Sequence, residues 1–251
     1  MADPLAPRDA TSESPPVKTT LPTADPLANI GPGLNLPQGP EIVDPRESVR
    51  PGKGTHVAPA GTKGGPKGVG YFGIRDETAT KVVYVIDASG SMTSYNAMQV
   101  AKGALLSSLQ ALDERQQFLL IFYDDKPRAI HLHNEPKATL VPATDLNKTL
   151  ARHQIAGIQP GSGTDHLPAL KLALQMNPDT IFFLTDALDP PLWPQDLEQI
   201  KNLNGGRVHI HSIEFGQGPE LDGDHGNFLR KLARQNGGTY RYQDVTRFKS
   251  N

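Results

Sequence analysis

One carboxylate and two hydroxyl side chains follow directly on a run of apolar residues about a third of the way along the sequence. The run VVYVI (82–86) is followed by Asp87-Ala-Ser89-Gly-Ser91. Oxygen-bearing side chains at alternate positions after a buried strand can provide a serine nucleophile, take part in a phosphate cradle or hold a cation. Each of these chemistries makes a different demand on the neighbouring residues.

The nucleophile and phosphate interpretations fit these residues poorly. A strand-to-helix nucleophile elbow has glycine two residues before and two residues after the serine, whereas Asp87 and Ser91 flank Ser89 at those positions. An aspartyl-phosphate site needs a second carboxylate where Ser89 stands. A phosphate cradle needs several glycines and usually a lysine, and Gly90 stands alone in this loop.

A hard divalent cation fits the residues better. Mg²⁺ takes six oxygen ligands at about 2.1 Å and keeps several waters. Ser89 and Ser91 offer two hydroxyls, and Thr164 in GSGTD offers a third. Asp186 in FFLTDA joins Asp87 in supplying negative charge. Softer ligands are scarce in these loops, which argues against zinc or copper.

The elements that position these residues alternate between strand and helix. Strands are predicted at 80–86, 117–123, 128–132, 179–185, 207–215 and 239–245, and helices at 94–112, 145–158, 166–176, 193–203 and 226–236. This alternation predicts an α/β fold with an open, mostly parallel six-stranded sheet and helices on both faces. Thr93 or Ser94 is the expected N-cap of the first helix. Ligands of such sheets bind at the carboxyl ends of the strands, where Asp87 and Asp186 lie.

Composition divides the chain into two parts. All fifteen aromatic residues lie between Tyr71 and Phe248, whereas residues 1–70 hold 13 of the 23 prolines. A segment without aromatic residues buries too little apolar surface to offset the entropy of ordering it. We therefore predict a disordered Pro/Gly-rich tail or linker over residues 1–70 and one folded domain over residues 71–251.

Charge and hydropathy exclude several classes of partner. Residues 71–251 carry 18 Lys and Arg against 20 Asp and Glu, which argues against nucleic acid or an anionic membrane surface. No apolar run approaches the ~20 residues that cross a bilayer, and MADPLAPRDATSESPP does not resemble a signal peptide. As written, the chain is expected to be a cytoplasmic monomer without membrane insertion. An N-terminal anchor ahead of it would make the protein membrane-tethered or extracytoplasmic.

These motifs resemble the metal-ion-dependent adhesion site of von Willebrand factor type A domains. That site has the pattern D-x-S-x-S, then a threonine, then an aspartate, and Asp87, Ser89, Ser91, Thr164 and Asp186 match it in order. The form DASGSM is similar to that of bacterial members. The resemblance implies that the serines bind Mg²⁺ or Mn²⁺ directly, that the threonine does so in one ligand state, and that the aspartates act mostly through water. It also implies that the edge strand near 128–132 runs antiparallel.

The function implied by the resemblance is non-enzymatic, metal-dependent binding of another protein, whose Asp or Glu side chain completes the coordination. One departure is Ala187, which follows Asp186 where the family often has glycine. Two alternatives stay open. One is a metal-assisted hydrolase, with His166 or Asp124 as its base. The other is a metal-free scaffold that recruits partners through its tail.

Other polar and aromatic residues have simpler interpretations. Trp193 is either an exposed partner contact or a ring packed beneath its own loop, and the second interpretation is favoured. His209 and His211 share a strand face and are expected to be packed, hydrogen-bonded histidines rather than a zinc pair. Asp224 is expected to cap a helix rather than to belong to a calcium loop with Asp222.

Overall fold

The structure, a computed structural model, describes residues 68–188, 190–220 and 227–248 of the 251-residue chain. These residues form nine β-strands: β1 Val69–Tyr71, β2 Ile74–Asp76, β3 Lys81–Asp87, β4 Gln117–Tyr123, β5 Pro127–Ala129, β6 Val141–Pro142, β7 Thr180–Thr185, β8 His209–Gly216 and β9 Tyr240–Asp244. They also form five α-helices: α1 Ala97–Ala111, α2 Asp145–Gly157, α3 His166–Gln175, α4 Pro194–Asn204 and α5 Phe228–Gln235.

Seven of the strands form one sheet, and its central part is parallel. The strand order is β5-β4-β3-β7-β8-β9, with β6 paired to the start of β4. Strands β4, β3, β7, β8 and β9 run parallel, whereas β5 lies antiparallel at the edge. This arrangement confirms the predicted mostly parallel sheet and its antiparallel edge strand. The seventh strand, β6, escaped prediction because a Val-Pro pair carries no strand pattern.

The central strands are buried on both faces, which explains their uninterrupted apolar sequences. Val82, Tyr84 and Ile86 of β3 belong to a core shared with α1 and α2. Val83 and Val85 of the same strand belong to a second core, shared with α3, α4 and α5. The prediction of helices on both faces is therefore confirmed.

A hairpin of β1 and β2 covers part of the first core and was not predicted. Phe72 and Gly73 form its two-residue turn, both with positive φ. Such turns usually carry Asn-Gly or Asp-Gly, so Phe-Gly gives little signal in the sequence. The Tyr71 hydroxyl donates to the carbonyl oxygen of Ala101 in α1 at 3.1 Å, which fixes the hairpin to the domain. The division of the chain at residue 70 stays a prediction, because residues 1–67 lie outside the described part.

Helix boundaries differ from the predictions mainly next to loops. The predicted caps Thr93 and Ser94 are wrong, because a 3₁₀ segment over Gly90–Asn96 carries the chain away from β3 before α1 begins. Thr93 instead donates its hydroxyl to the carbonyl oxygen of Gly90 at 2.7 Å. Helix α5 has Asn227 as its N-cap. The predicted cap, Asp224, and Asp222 lie outside the described residues.

Ala187 adopts a left-handed backbone conformation directly after β7, with φ of 54°. A residue with a Cβ atom loses about 1–2 kcal/mol in this conformation, whereas glycine adopts it freely. Ala187 therefore carries a backbone strain that a glycine at this position would not have.

The amino ends of β3 and β7 are joined by one carboxylate. Oδ2 of Asp179 accepts hydrogen bonds from the backbone nitrogens of Thr80 and Lys81, both at 2.8 Å, and from the Thr80 hydroxyl at 2.7 Å. Partial burial opposes ionisation, but these hydrogen bonds outweigh it and lower the pKa of Asp179. The ionised form therefore stabilises the pairing of the two central strands.

Replacing Ala187 with glycine should stabilise the fold. The free energy of unfolding is expected to rise by about 0.5–1 kcal/mol, because the relief of the left-handed strain exceeds the entropy that glycine adds to the unfolded chain. Urea unfolding of the full chain measures the change. Gly103→Ala is the control for the opposite exchange, glycine to alanine. It lies at an exposed position inside α1 with open space around it, and it should stabilise the fold through helix propensity instead. A destabilised Ala187→Gly variant would contradict the left-handed conformation.

Replacing Asp179 with asparagine should destabilise the fold in a pH-dependent way. At pH 7 we expect a loss of about 1–2 kcal/mol, because three hydrogen bonds lose their charged acceptor. A carboxylate with a lowered pKa in the folded state contributes fully above its unfolded pKa of about 3.9, and that contribution is lost as the pH falls through the folded value.

The stability difference between the wild type and Asp179→Asn should therefore shrink between pH 6 and pH 3, as measured by urea unfolding. Glu198→Gln, on the exposed side of α4, serves as the control and should leave stability nearly unchanged. An Asp179→Asn difference that is equal at both pH values would show that the carboxylate charge is irrelevant.

Candidate functional site

Asp87 lies fully buried at the carboxyl end of β3 and uses both of its oxygens. Oδ1 accepts a hydrogen bond from the Ser89 backbone nitrogen at 2.8 Å, and Oδ2 accepts one from the Thr185 hydroxyl at 2.6 Å. Burial raises the pKa of Asp87, and the hydrogen bonds from Thr185 and Ser89 counter part of that rise. The carboxylate thus fixes the loop after β3 and ties it to the end of β7.

Ser89 and Ser91 point their hydroxyls at each other across this loop. The two Oγ atoms are 2.9 Å apart, so either hydroxyl can donate to the other. Ser89 is buried, whereas Ser91 is partly exposed and reaches the surface of the domain. Adjacent ligands of an octahedral ion with bonds of about 2.1 Å lie about 3 Å apart, so this separation fits two ligands of one small cation.

Asp186 follows β7 and lies beside Ser91 in the same cleft. Burial raises the pKa of Asp186, a hydrogen bond from Ser91 lowers it, and the nearby charge of Asp87 raises it further. The structure therefore brings four predicted residues, Asp87, Ser89, Ser91 and Asp186, to one part of the sheet rim.

Thr164 reaches this rim through the backbone of its loop. The Gly161 nitrogen donates to the Ala88 carbonyl oxygen at 2.7 Å, and the Asp165 nitrogen donates to the Asp124 carbonyl oxygen, also at 2.7 Å. A Cβ atom at Gly161 would overlap the Asp124 carboxylate, so any larger residue here would have to displace that side chain. Within the described part of the chain, the Thr164 side chain makes no hydrogen bond to the other four predicted residues.

The donor set suits a hard ion better than a soft one. No cluster of three or more His, Asp or Glu side chains with metal-binding geometry occurs among residues 68–188, 190–220 and 227–248. An ion at the rim would therefore depend on the hydroxyl oxygens of Ser89, Ser91 and Thr164, on the two aspartates and on water. Mg²⁺ and Mn²⁺ accept such oxygen ligands.

The two residues considered as a hydrolytic base are engaged elsewhere. His166 is only 2% exposed, its Nδ1 lies 3.0 Å from the Tyr123 hydroxyl, and its ring stacks on Phe228. Burial lowers the pKa of His166 to about 4, so the ring is neutral at pH 7. Asp124 forms an ion pair with Arg128 at 3.0 Å. The Asp124 carboxylate and Nδ1 of His166 thus have partners, whereas Nε2 of His166 is buried without a hydrogen-bond partner among the described residues.

The histidine pair of β8 lies at the amino end of the sheet, away from the rim. Nδ1 of His209 is 2.9 Å from Oδ2 of Asp76, and Nδ1 of His211 accepts a hydrogen bond from the Thr239 nitrogen at 2.9 Å. The His211 ring also stacks on Phe182. These contacts match the expectation of packed, hydrogen-bonded histidines.

Trp193 corrects one expectation from the sequence. Its side chain is 58% exposed, so the favoured interpretation, a ring packed beneath its own loop, is wrong. The residue is the N-cap of α4, and its backbone nitrogen donates to Oδ2 of Asp196 at 2.9 Å. The indole is thus held at the surface near the rim.

A cleft of about 440 Å³ opens beside Ser91 and Asp186, and no sequence pattern predicted it. It is lined by Glu214 of β8 and by Tyr240 and Tyr242 of β9, and it extends to the start of α5 at Asn227 and Arg230. In the sequence, Glu214 is not distinguishable from any other polar residue of a strand. Its only signal is that a carboxylate interrupts the largely apolar end of SIEF.

Helices long and apolar enough to cross a bilayer are absent from the described residues.

The sequence matches known families over most of its described part. A sequence profile of the von Willebrand factor type A domain matches residues 80–242. Inter-alpha-trypsin inhibitor heavy chain H4 of Homo sapiens is 32% identical over 177 residues, which cover 64% of this chain and 18% of that protein. Heavy chain H2 of Mesocricetus auratus is 28% identical over 177 residues, which cover 65% of this chain and 18% of that protein. The chain thus matches less than a fifth of the length of these relatives.

Solved structures share the fold at lower sequence identity. A von Willebrand factor type A protein from Catenulispora acidiphila superposes with a TM-score of 0.56 at 21% identity, covering 70% of this chain and 41% of that one. The pilus adhesin SpaC from Lactobacillus rhamnosus GG superposes with a TM-score of 0.51 at 14% identity, covering 68% of this chain and 28% of that one. These structures show the shared fold, and the profile match over residues 80–242 shows that the chain belongs to the von Willebrand factor type A domain family.

Proposed function

We propose that this chain binds another protein through a Mg²⁺ or Mn²⁺ ion held at the sheet rim, and that it catalyses no reaction. Ser89, Ser91 and Thr164 would be direct ligands, whereas Asp87 and Asp186 would act mostly through water. The observation that carries the proposal is the pair of serine hydroxyls 2.9 Å apart above a buried carboxylate.

The role of Asp87 follows from its contacts. Both oxygens of Asp87 already accept hydrogen bonds from Ser89 and Thr185, so this residue is suited to orienting the loop rather than to binding an ion directly. The serine and threonine ligands are neutral and leave most of the charge of a bound divalent ion uncancelled. Such an ion attracts a carboxylate from outside the domain. An Asp or Glu of the partner is therefore the expected last ligand.

The surface around the site supports a protein partner. Five large hydrophobic side chains are exposed among the described residues, and three of them lie in the loops that carry Ser91 and Asp186. These three are Tyr95, Leu188 and Trp193, at 47%, 51% and 58% exposure. Exposed aromatic and aliphatic groups beside a polar site are typical of binding surfaces.

The family relationship agrees with this proposal. Von Willebrand factor type A domains commonly mediate protein–protein interactions, and SpaC, which shares the fold, is a pilus adhesin. A hydrolase is less well supported, because His166 is buried and neutral and Asp124 is paired with Arg128.

Line broadening by Mn²⁺ in NMR spectra of the full chain tests the metal site directly, because it detects even weak binding. In the wild type, substoichiometric Mn²⁺ should broaden the backbone amides of Ser89, Ser91 and Ala187 first. Ser91→Ala removes one hydroxyl from a partly exposed position and should weaken Mn²⁺ binding at least tenfold, about 1.4 kcal/mol. Excess Mg²⁺ should reverse the broadening.

Ser107→Ala is the matched control, since Ser107 is exposed on α1 and its hydroxyl only donates to the Gly103 carbonyl oxygen at 3.1 Å. This variant should bind Mn²⁺ like the wild type. Thermal unfolding checks that both variants are folded. Broadening that is unchanged in Ser91→Ala, or that centres on another part of the domain, would contradict the proposed metal site.

A further inference from the structure

The cleft beside the candidate metal site is large enough to receive part of a partner. Its volume of about 440 Å³ lies within the range of sites that enclose small ligands or a few side chains. Ser91 and Asp186 line one end, and Glu214 lines the interior. An extended peptide segment placed against the metal site could therefore send a neighbouring side chain into the cleft.

Glu214 is a carboxylate held in a fixed position. Its Oε2 accepts hydrogen bonds from the Tyr240 hydroxyl at 2.7 Å and from the Asn227 side-chain amide. No donor among the described residues bonds to its Oε1. In the sheet, Glu214 pairs with Thr185, the residue directly before Asp186. Oε2 of Glu214 is thus anchored, and Oε1 can accept a hydrogen bond from a donor in the cleft. Strand β8, which carries Glu214, lies one strand spacing (~5 Å) from β7, which precedes Asp186.

The charges of the cleft favour a cation over an anion. Glu220 forms an ion pair with Arg230, so these two charges offset each other. The Arg230 guanidinium also lies 4.6 Å from the centre of the Tyr240 ring, which shows that this wall accommodates such a group. Glu214 is bonded by two neutral donors and by no cationic side chain among the described residues.

The walls of the cleft suit the aliphatic part of a long side chain. Phe215, Val245 and Leu188 line it together with the polar groups. Lysine and arginine place an apolar stem along such surfaces while their charged end reaches an acceptor. A carboxylate or phosphate in the same place would meet Glu214 and be repelled.

We propose that this cleft is a second subsite that binds a Lys or Arg side chain of the partner, with Glu214 as its acceptor. The inference rests on the proposed function. An acidic residue of the partner binds the metal ion, and this contact brings a basic residue of the same partner segment to the cleft. Backbone length of about 3.3–3.6 Å per residue sets a separation of one to three positions between the two. The recognised element is therefore an acidic and a basic residue close together in an extended segment.

Selection from a phage-displayed library of random seven-residue peptides tests both sites in one experiment. The full chain is the bait in Mg²⁺, beside Glu214→Gln, Ser91→Ala and the surface control Glu198→Gln. Glutamine keeps an oxygen that can accept from Tyr240 and Asn227 but removes the charge. The wild type and Glu198→Gln should enrich peptides with Asp or Glu and with Lys or Arg one to three positions away.

Glu214→Gln should still enrich the acidic residue but lose the basic one, and the best wild-type peptide should bind it about tenfold more weakly. Acidic peptides without a preferred basic residue would overturn the second subsite and leave the proposed function standing. A basic preference that persists in Glu214→Gln would also overturn it.

The proposed function fails separately, if the acidic preference survives in Ser91→Ala or in the absence of Mg²⁺. A library that yields no enriched sequence with any of these baits counts against both proposals.

Discussion

The buried carboxylate of Asp87 is the interaction on which the rim of this domain depends. A carboxylate removed from water is tolerated only when hydrogen bonds satisfy it, and Asp87 obtains them from the Ser89 backbone and the Thr185 hydroxyl. The first bond turns the chain after β3 so that the hydroxyls of Ser89 and Ser91 meet. The second bond ties the end of β3 to the end of β7, which places Asp186 beside them. One side chain thus links the fold of the central sheet to the geometry of the candidate site.

The sequence was informative wherever burial dictates residue type. Strand β4 coincides with the predicted 117–123, because a strand covered on both faces must be apolar throughout. The residues of the candidate site could also be predicted from the sequence, since most of them follow the buried strands directly. Features set by backbone conformation were missed. The Phe72-Gly73 turn, the delayed start of α1 after Asn96 and the cleft near Glu214 depend on positive φ angles or on contacts between distant segments. The exposure of Trp193 was also missed, because it depends on which distant segments pack against its loop.

In the proposed account, the rim serves recognition rather than catalysis. Its hydroxyl oxygens are neutral, Asp87 is fully buried and Asp186 half-buried, and the nearby histidine, His166, is buried with a pKa lowered to about 4. Exposed apolar side chains at Tyr95, Leu188 and Trp193 surround it, and Glu214 adds a fixed negative charge in the adjoining cleft. In the proposed account, a partner is held at two points of opposite charge, which would make binding selective for the order and spacing of its residues.

The most direct test of the account is to locate the ion itself. Crystals of the full chain grown with Mn²⁺ allow an anomalous difference map at the manganese absorption edge. We expect one strong peak within about 2.0–2.3 Å of both the Ser89 and the Ser91 Oγ atoms, next to the loop of Thr164. A well-ordered rim without such a peak, or a peak at the Asp76–His209 pair instead, would contradict a metal site built from these serines.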